Sequence, residues 1–247
     1  MKLTILSFNI RCANDPEGHS IPERAPRVAE ILKTQHPDII GLQEYHRRWD
    51  ASWPVLEDPR YEAWKIDRGD GEGLVLMWKK DRFRLLQKGF FWFGDDPRKP
   101  TTDRDEKYHK PRICGWLLLQ EAKTGKEFLY MNVHYGFGDE GQVENARQIL
   151  SHAVSMGSYP VIVAGDFNLQ PGTPGYQAMA ENFTDANKAT ADLQINTYHG
   201  YDKHPARLLD YCFVNDAVKA KDYCVLTQTF EGKYPSDHYP IAIELEM

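Results

Sequence analysis

The sequence predicts an α/β fold in which two packed β-sheets are covered by helices. Apolar runs of strand length recur along the whole chain, and only a few amphipathic helical segments interrupt them. Five of the runs end at once in a carboxylate or carboxamide, which is costly unless that group finds a partner at the sheet's edge.

Taken in order, residues 2–8 read as a strand and 23–35 as a helix with Val28, Ile31 and Leu32 on one face, ended by His36-Pro37. Residues 38–43 form a buried strand. Strands follow near 73–79, 83–93, 113–121 and 127–134, separated by turns such as Lys79-Lys80-Asp81 and Lys123-Thr124-Gly125-Lys126. Val143, Ala146, Ile149, Leu150 and Val154 predict a second helix over 141–156, followed by a strand at 160–165. After Pro171-Gly172 a short helix is expected, with Thr173 as its cap and Pro174 in its first turn. Strands near 208–214, 222–229 and 239–246 close the chain. The longest irregular stretch, 94–112, is polar and charged, and loops of that length tend to be functional or mobile. With no internal repeat or low-complexity linker, one domain over 1–247 is expected.

Composition excludes several classes. A hydrophobic content of 41% with 12% aromatics argues against disorder. A net charge of −6, from 30 basic and 36 acidic residues, disfavours a protein bound to bulk nucleic acid by counterion release, though not a local basic patch. Cys12, Cys114, Cys212 and Cys224 are scattered without a CxxC pair, so no zinc knuckle or redox motif is present. The first ten residues leave no separate apolar leader region, and no run approaches the ~20 apolar residues of a membrane span. A soluble, cytoplasmic monomer is expected.

The chemistry lies at the five strand ends: Asn9, Glu44, Asp166 with Asn168, Asp210, and the pair Asp237–His238. Such oxygen donors suit a hard divalent cation. Gly165 lets the chain turn after its strand, and Asp166 and Asn168, two apart, would share one side of an extended segment; an Asx-turn is the plainer reading. Glu44 could instead simply open the exposed loop that follows it. Asp237–His238 sets a carboxylate beside an imidazole, a pairing fit for metal binding or proton transfer, and Asp210 could fix the tautomer of His238. Among weaker candidates, Trp92, Phe93 and the 94–112 loop could stack a base or aglycone, against the commoner reading of core aromatics. Arg112 suits a phosphate, or else a surface ion pair. Tyr198 and His199 could line the pocket.

The ordered set FNIR, GLQE, NVHYG, GDFN, LLDYCFV and SDHYP spans residues 5 to 242 and resembles the endonuclease/exonuclease/phosphatase superfamily, the deoxyribonuclease-like enzymes. TYHGY at 197–201 and PRICGW at 111–116 resemble a bacterial, deadenylase-like branch of it. The resemblance implies a four-layer α/β sandwich with two mainly antiparallel sheets and an active site at one edge. It also implies Mg²⁺, with Mn²⁺ as a substitute, held principally by Glu44 with Asn9 and Asp237 nearby. Asp166 would align or deprotonate the attacking water, Asn168 would hold phosphate or water, and His238 would bond a phosphate oxygen with Asp210 behind it. His134 matches the family's second catalytic histidine. Glu72, six residues before Trp78, would orient it, unless it is only an exposed residue of a Gly-rich turn. The implied activity is hydrolysis of a phosphate ester, with a nucleic acid, a nucleotide or a small phosphorylated metabolite as partner. An inactive binding module of the same fold, or a phospholipid or inositol phosphate phosphatase, is the alternative. Zinc is disfavoured without a Cys or multi-His set. The N-terminal DxH and the GNH motif of calcineurin-like phosphoesterases and the GxSxG elbow of serine hydrolases are all missing.

Overall fold

Two parallel strand–helix–strand crossovers frame the computed structural model, which describes residues 1–247. In the first, strand β1 (Lys2–Asn9) leads through helix α1 (Ile21–Gln35) to β2 (Ile39–His46). A short helix α2 (Trp53–Leu56) and strands β3 (Tyr61–Asp67), β4 (Glu72–Lys79), β5 (Phe83–Trp92) and β6 (Ile113–Glu121) follow. In the second crossover, β7 (Glu127–His134) leads through α3 (Asp139–Met156) to β8 (Val161–Asp166). The chain ends with α4 (Pro174–Ala180), β9 (Thr184–Asp185), α5 (Ala186–Ala189), β10 (Asp210–Val214), β11 (Lys219–Val225) and β12 (Ile241–Glu246).

The strands form two six-stranded sheets in the orders β11-β12-β1-β2-β4-β3 and β5-β6-β7-β8-β10-β9. Only β1–β2 and β7–β8 pair in parallel; every other neighbouring pair is antiparallel. Both parallel pairs therefore lie mid-sheet, each with its crossover helix covering the outer face. Strands buried on both faces read as continuous apolar runs, as Val161–Ala164 does.

The side-chain period of two divides these strands between two cores. Leu3 and Ile5 of β1, Leu74 and Leu76 of β4, Phe128 and Tyr130 of β7 and Ile162 and Ala164 of β8 fill the space between the sheets. Leu6 and Phe8 of β1 instead meet Val28, Ile31 and Leu32 of α1, while Val161 and Val163 of β8 meet Ala146 and Ile149 of α3. The result is a four-layer α/β sandwich. Each buried Leu, Ile or Phe contributes about 1.5–3 kcal/mol, so polar groups admitted to the middle layer must be paired. Asn132 of β7 meets that demand by donating to Leu42 O (3.0 Å) and Val75 O (3.2 Å) and accepting from Gln43 Nε2 (2.7 Å), which ties one sheet to the other.

Several boundaries differ from expectation for local reasons. Helix α1 starts at Ile21 rather than 23, because Glu23 reaches back to the Ser20 N–H (3.0 Å) to close the N-terminus. Strand β3 escapes sequence reading because it is an edge strand with mostly exposed or half-buried side chains. The two-residue β9 and four-residue α5 are too short to show a period. Strand β11 begins at Lys219 and ends at Val225, so 226–229 is a loop. Thr173 caps α4 as expected, accepting from Tyr176 N. No helix is long and apolar enough to cross a membrane.

Candidate active site

The same period of two carries polar side chains to the end of the inter-sheet layer. Continuing the inward face of each strand leads from Leu3 and Ile5 to Asn9, from Leu76 and Leu74 back to Glu72, and from Tyr130 to His134. It likewise leads from Ala164 to Asp166 and from Cys212 back to Asp210. Strand register then aligns the last three, since His134 pairs with Asp166 and Asp166 with Asp210.

Glu44 joins them by breaking the rule. Strict alternation in β2 would turn Glu44 toward α1, but the register with β4 shifts between Leu42 and Tyr45. Glu44 takes a left-handed φ of 58° there, and Tyr45 packs outward against Trp53. The bulge thus re-aims one carboxylate, at a strain of about 1–3 kcal/mol of the kind held at functional sites. Strand β2 does not stop at residue 43; it continues through the bulge to His46.

Around Asp166 the groups are close. Its Oδ2 accepts from Asn9 Nδ2 (2.9 Å) and lies 3.6 Å from His134 Nε2 and 3.8 Å from His238 Nε2. Each imidazole is backed by a carboxylate on its other nitrogen: Asp210 Oδ2 at 2.8 Å from His238 Nδ1, and Glu72 Oε1 at 3.8 Å from His134 Nδ1. Asn9 also donates to Glu44 Oε1 (3.1 Å), and Cys12 N donates to Glu44 Oε2 (2.9 Å). Asp237 enters from the loop before β12, with Ser236 Oγ 3.2 Å from its Oδ1. The Arg11 guanidinium stands between the acids, 3.5 Å from Asp237 and 4.0 Å from Glu44. Gly165 has φ 152°, and a Cβ there would strike Val133 O, so the residue before Asp166 must be glycine.

A cleft of about 530 Å³ opens over this floor. Glu44, Glu72, Arg112, His134, Asp166, Asn168, Asp237 and His238 all line it. Three sequence candidates stand elsewhere. Asn9 donates both amide N–H groups, to Glu44 and Asp166, and its oxygen accepts from Arg11 N (3.0 Å), so it braces the carboxylates beneath the cleft. Asp210 is wholly covered behind His238. His199, read as a pocket residue from its place next to Tyr198, is turned away instead. Its ring is buried against Tyr234 and Tyr239, and its Nδ1 accepts from Tyr201 N (3.2 Å). Asn168 is not in an extended segment: its φ is 50°, its N–H closes an Asx-turn onto Asp166 Oδ1 (2.9 Å), and its side chain donates to Tyr135 O. Trp92 and Phe93 are not cleft residues either; Phe93 is fully buried, and Trp92 Nε1 donates to Arg68 O.

Sequence reasoning found Arg112 and missed the other cations. Arg11, Arg68, Lys107, Lys110 and Arg207 surround the acidic floor, with Tyr108 and Phe137 among them. Arg11 follows Asn9 by two residues, a spacing that could have flagged it. Lys107 and Arg207 look like any other surface charge until the loops fold over the strand ends.

Burial sets the electrostatics. It pushes the Asp166 carboxyl up to about 7 against the pull of His238. Burial and then repulsion by Glu44 push Glu72 up to about 7. His238 moves up to about 10, because Asp210 and Asp166 outweigh the burial that would discharge it. Burial followed by the Arg112 charge holds His134 below its ordinary range. Crowded, buried carboxylates of this kind are costly without a counter-cation. Glu44 and Asp237 supply only hard oxygen donors, which suit a Mg²⁺-like ion rather than a soft metal, and Arg11 stands between them as a counter-charge. Asp166, Asp210 and His238 form a second buried group whose ligand atoms lie within 4.8 Å of one another.

A family model described as "Endonuclease/Exonuclease/phosphatase family" matches residues 6–238. Among solved structures, the mannosyl-6-phosphatase of Bacteroides thetaiotaomicron VPI-5482 is similar at 28% identity and a TM-score of 0.88, over 99% of this chain and 100% of that one. Carbon catabolite repressor protein 4 homolog 3 of Arabidopsis thaliana is 25% identical over 73% of this chain and 43% of its own length. Tyrosyl-DNA phosphodiesterase 2 of Mus musculus is 24% identical over 99% of this chain and 66% of its own. The chain spans about half the length of the first curated relatives it matches.

Proposed function

This chain belongs to the endonuclease/exonuclease/phosphatase family, and we propose that it hydrolyses a phosphate ester by metal-assisted, in-line attack of water. The observation that carries the reading is the placement of Asp166 Oδ2, 3.6 Å and 3.8 Å from two imidazole nitrogens that are each backed by a carboxylate. Asp166, raised by burial, accepts a proton from the attacking water near neutral pH. His238, charged and fixed by Asp210, donates through Nε2 to a phosphoryl oxygen as negative charge grows there. Arg112 binds the same phosphoryl group from the other side, and its Nη1 also donates to Nε2 of the neutral His134, which stands beside Glu72 and steadies that guanidinium. Asn168, braced by its bond to Tyr135 O, holds phosphate or water at the cleft wall. Glu44 and Asp237 would hold a Mg²⁺ ion, or Mn²⁺ in its place, which would supply charge to offset the phosphoryl oxygens and lower the cost of attack.

For the substrate we propose a small phosphorylated metabolite of the sugar phosphate kind. What supports this is similarity to a sugar phosphatase over the full length of both chains, together with a net charge of −6. One feature favours a nucleotide as the second reading: Tyr108, Tyr198, Lys107 and Arg207 together line the cleft, the pairing of aromatic and basic groups that bases and phosphates use. Phosphate release from mannose 6-phosphate, nucleoside monophosphates and a short oligonucleotide, with Mg²⁺, Mn²⁺ or chelator, tests both readings. The same purified protein is assayed on p-nitrophenyl phosphate and its bis-ester. Turnover that survives chelation, or no turnover on any ester with metal present, overturns the mechanism.

A further inference from the structure

We infer that Asp105 is a positioning residue that holds Arg112 in register for the phosphoryl group and docks the 94–112 loop on the site. The inference rests on the phosphoesterase reading above. Asp105 is the one carboxylate of its charged loop that is fully buried, at 0% exposure. Its Oδ2 accepts from Arg112 Nε (3.0 Å) and Nη2 (2.8 Å), a two-pronged pairing that fixes the guanidinium plane. The remaining nitrogen, Nη1, is left 3.0 Å from His134 Nε2, on the cleft side. The other oxygen, Oδ1, accepts from Tyr108 N (3.2 Å) and Phe137 N (3.3 Å), which pins the loop to the turn after β7. Glu106 N donates to Phe137 O (2.9 Å) in the same place. Gly136 permits the approach, because a Cβ there would collide with Arg104 O and Asp105.

All the acceptor capacity of Asp105 is therefore spent inside the protein, and none of it faces a substrate. A carboxylate so placed has one output toward the cleft, the orientation of Arg112. An asparagine at 105 keeps the size but has one acceptor oxygen in place of two, so its N–H₂ must face either the guanidinium or the Tyr108 and Phe137 N–H groups, and one side of the clamp is lost. Lysine at 112 keeps the charge but has no planar fork for Asp105 to hold.

The test is a double-mutant cycle on the Mg²⁺-loaded enzyme: wild type, Asp105→Asn, Arg112→Lys and the pair. Inorganic phosphate affinity by calorimetry is read beside kcat and KM. Each single substitution is expected to weaken phosphate binding and kcat/KM by about tenfold, and the double variant to lose no more than about threefold beyond the worse single. Losses that multiply in the double variant, or unchanged phosphate affinity in Asp105→Asn, overturn the inference. If Asp105→Asn does not fold by circular dichroism, Asp105→Glu replaces it in the cycle. A wild type that binds phosphate but turns over no ester sinks the functional reading alone, since the binding cycle still judges Asp105.

Discussion

His238 donates through Nδ1 to the buried Asp210 carboxylate at 2.8 Å, which leaves its Nε2 aimed at the cleft. A histidine held this way stays charged at neutral pH and keeps one orientation. His238→Gln is expected to lower kcat by about 10²–10³, the usual loss of one preorganised donor to a charge-building oxygen. Asp210→Asn should cost nearly as much while KM changes little, because Asp210 acts through His238. Unchanged kcat in either folded variant would remove the pair from the mechanism.

Glu44 gives a prediction about strain. Its φ of 58° is cheap for glycine and costly for alanine. Glu44→Ala and Glu44→Gly both delete the carboxylate, so the difference between them isolates the backbone. The glycine variant should be more stable by about 1 kcal/mol, read from denaturant midpoints, with both variants inactive. Equal stability would mean that the bulge relaxes.

Most of the site was legible because a strand's period of two is simple. Once β1, β7, β8 and β10 were placed, Asn9, His134, Asp166 and Asp210 fell on one face at neighbouring ends. The direction of Glu44 was not legible, since a bulge adds one residue without a local signal, and Gln43-Glu44-Tyr45 reads as ordinary strand end or loop. His199 misled for the opposite reason. Nearness to Tyr198 in sequence says nothing where a 3-10 turn at Gly200–Asp202 redirects the chain. The role of Asp105 was hidden among the charges of its loop, where only folding separates one buried carboxylate from its exposed neighbours.

The metal-free protein should show a pH signature that the ion erases. Asp166 titrates near 7 when folded against an ordinary 3.8, so the folded state binds the extra proton. Its contribution is complete below pH ~4 and is lost as pH rises through 7. In chelator, the stability difference between Asp166→Asn and wild type should therefore grow in the variant's favour from pH 5 to pH 8. Mg²⁺ at about 100 times its Kd should add about 2.7 kcal/mol to wild type, and less at pH 5, where protons compete with the ion. Thermal melts at both pH values decide it. A larger metal gain at pH 5 would contradict the assigned donors.

Lys107 and Arg207 bear on which ester enters. Neither has a carboxylate within ion-pair distance, and both line the cleft beside tyrosines, so their charge is available to a ligand. Groups that bind a substrate without touching its reacting phosphorus contribute equally to the ground and transition states, which moves KM and leaves kcat alone. Arg207→Ala and Lys107→Ala should each raise KM to an extent set by the substrate's charge, with an effect that shrinks as salt rises. For a sugar monophosphate, whose one charged group is consumed at the floor, the rise should be small. For a nucleotide with further phosphates it should approach about tenfold per charge, on the scale of a charge-assisted hydrogen bond. Steady-state kinetics of the two variants on both substrate types at two ionic strengths separates the readings. A fall in kcat without any change in KM would place these cations in the chemistry instead of at its entrance.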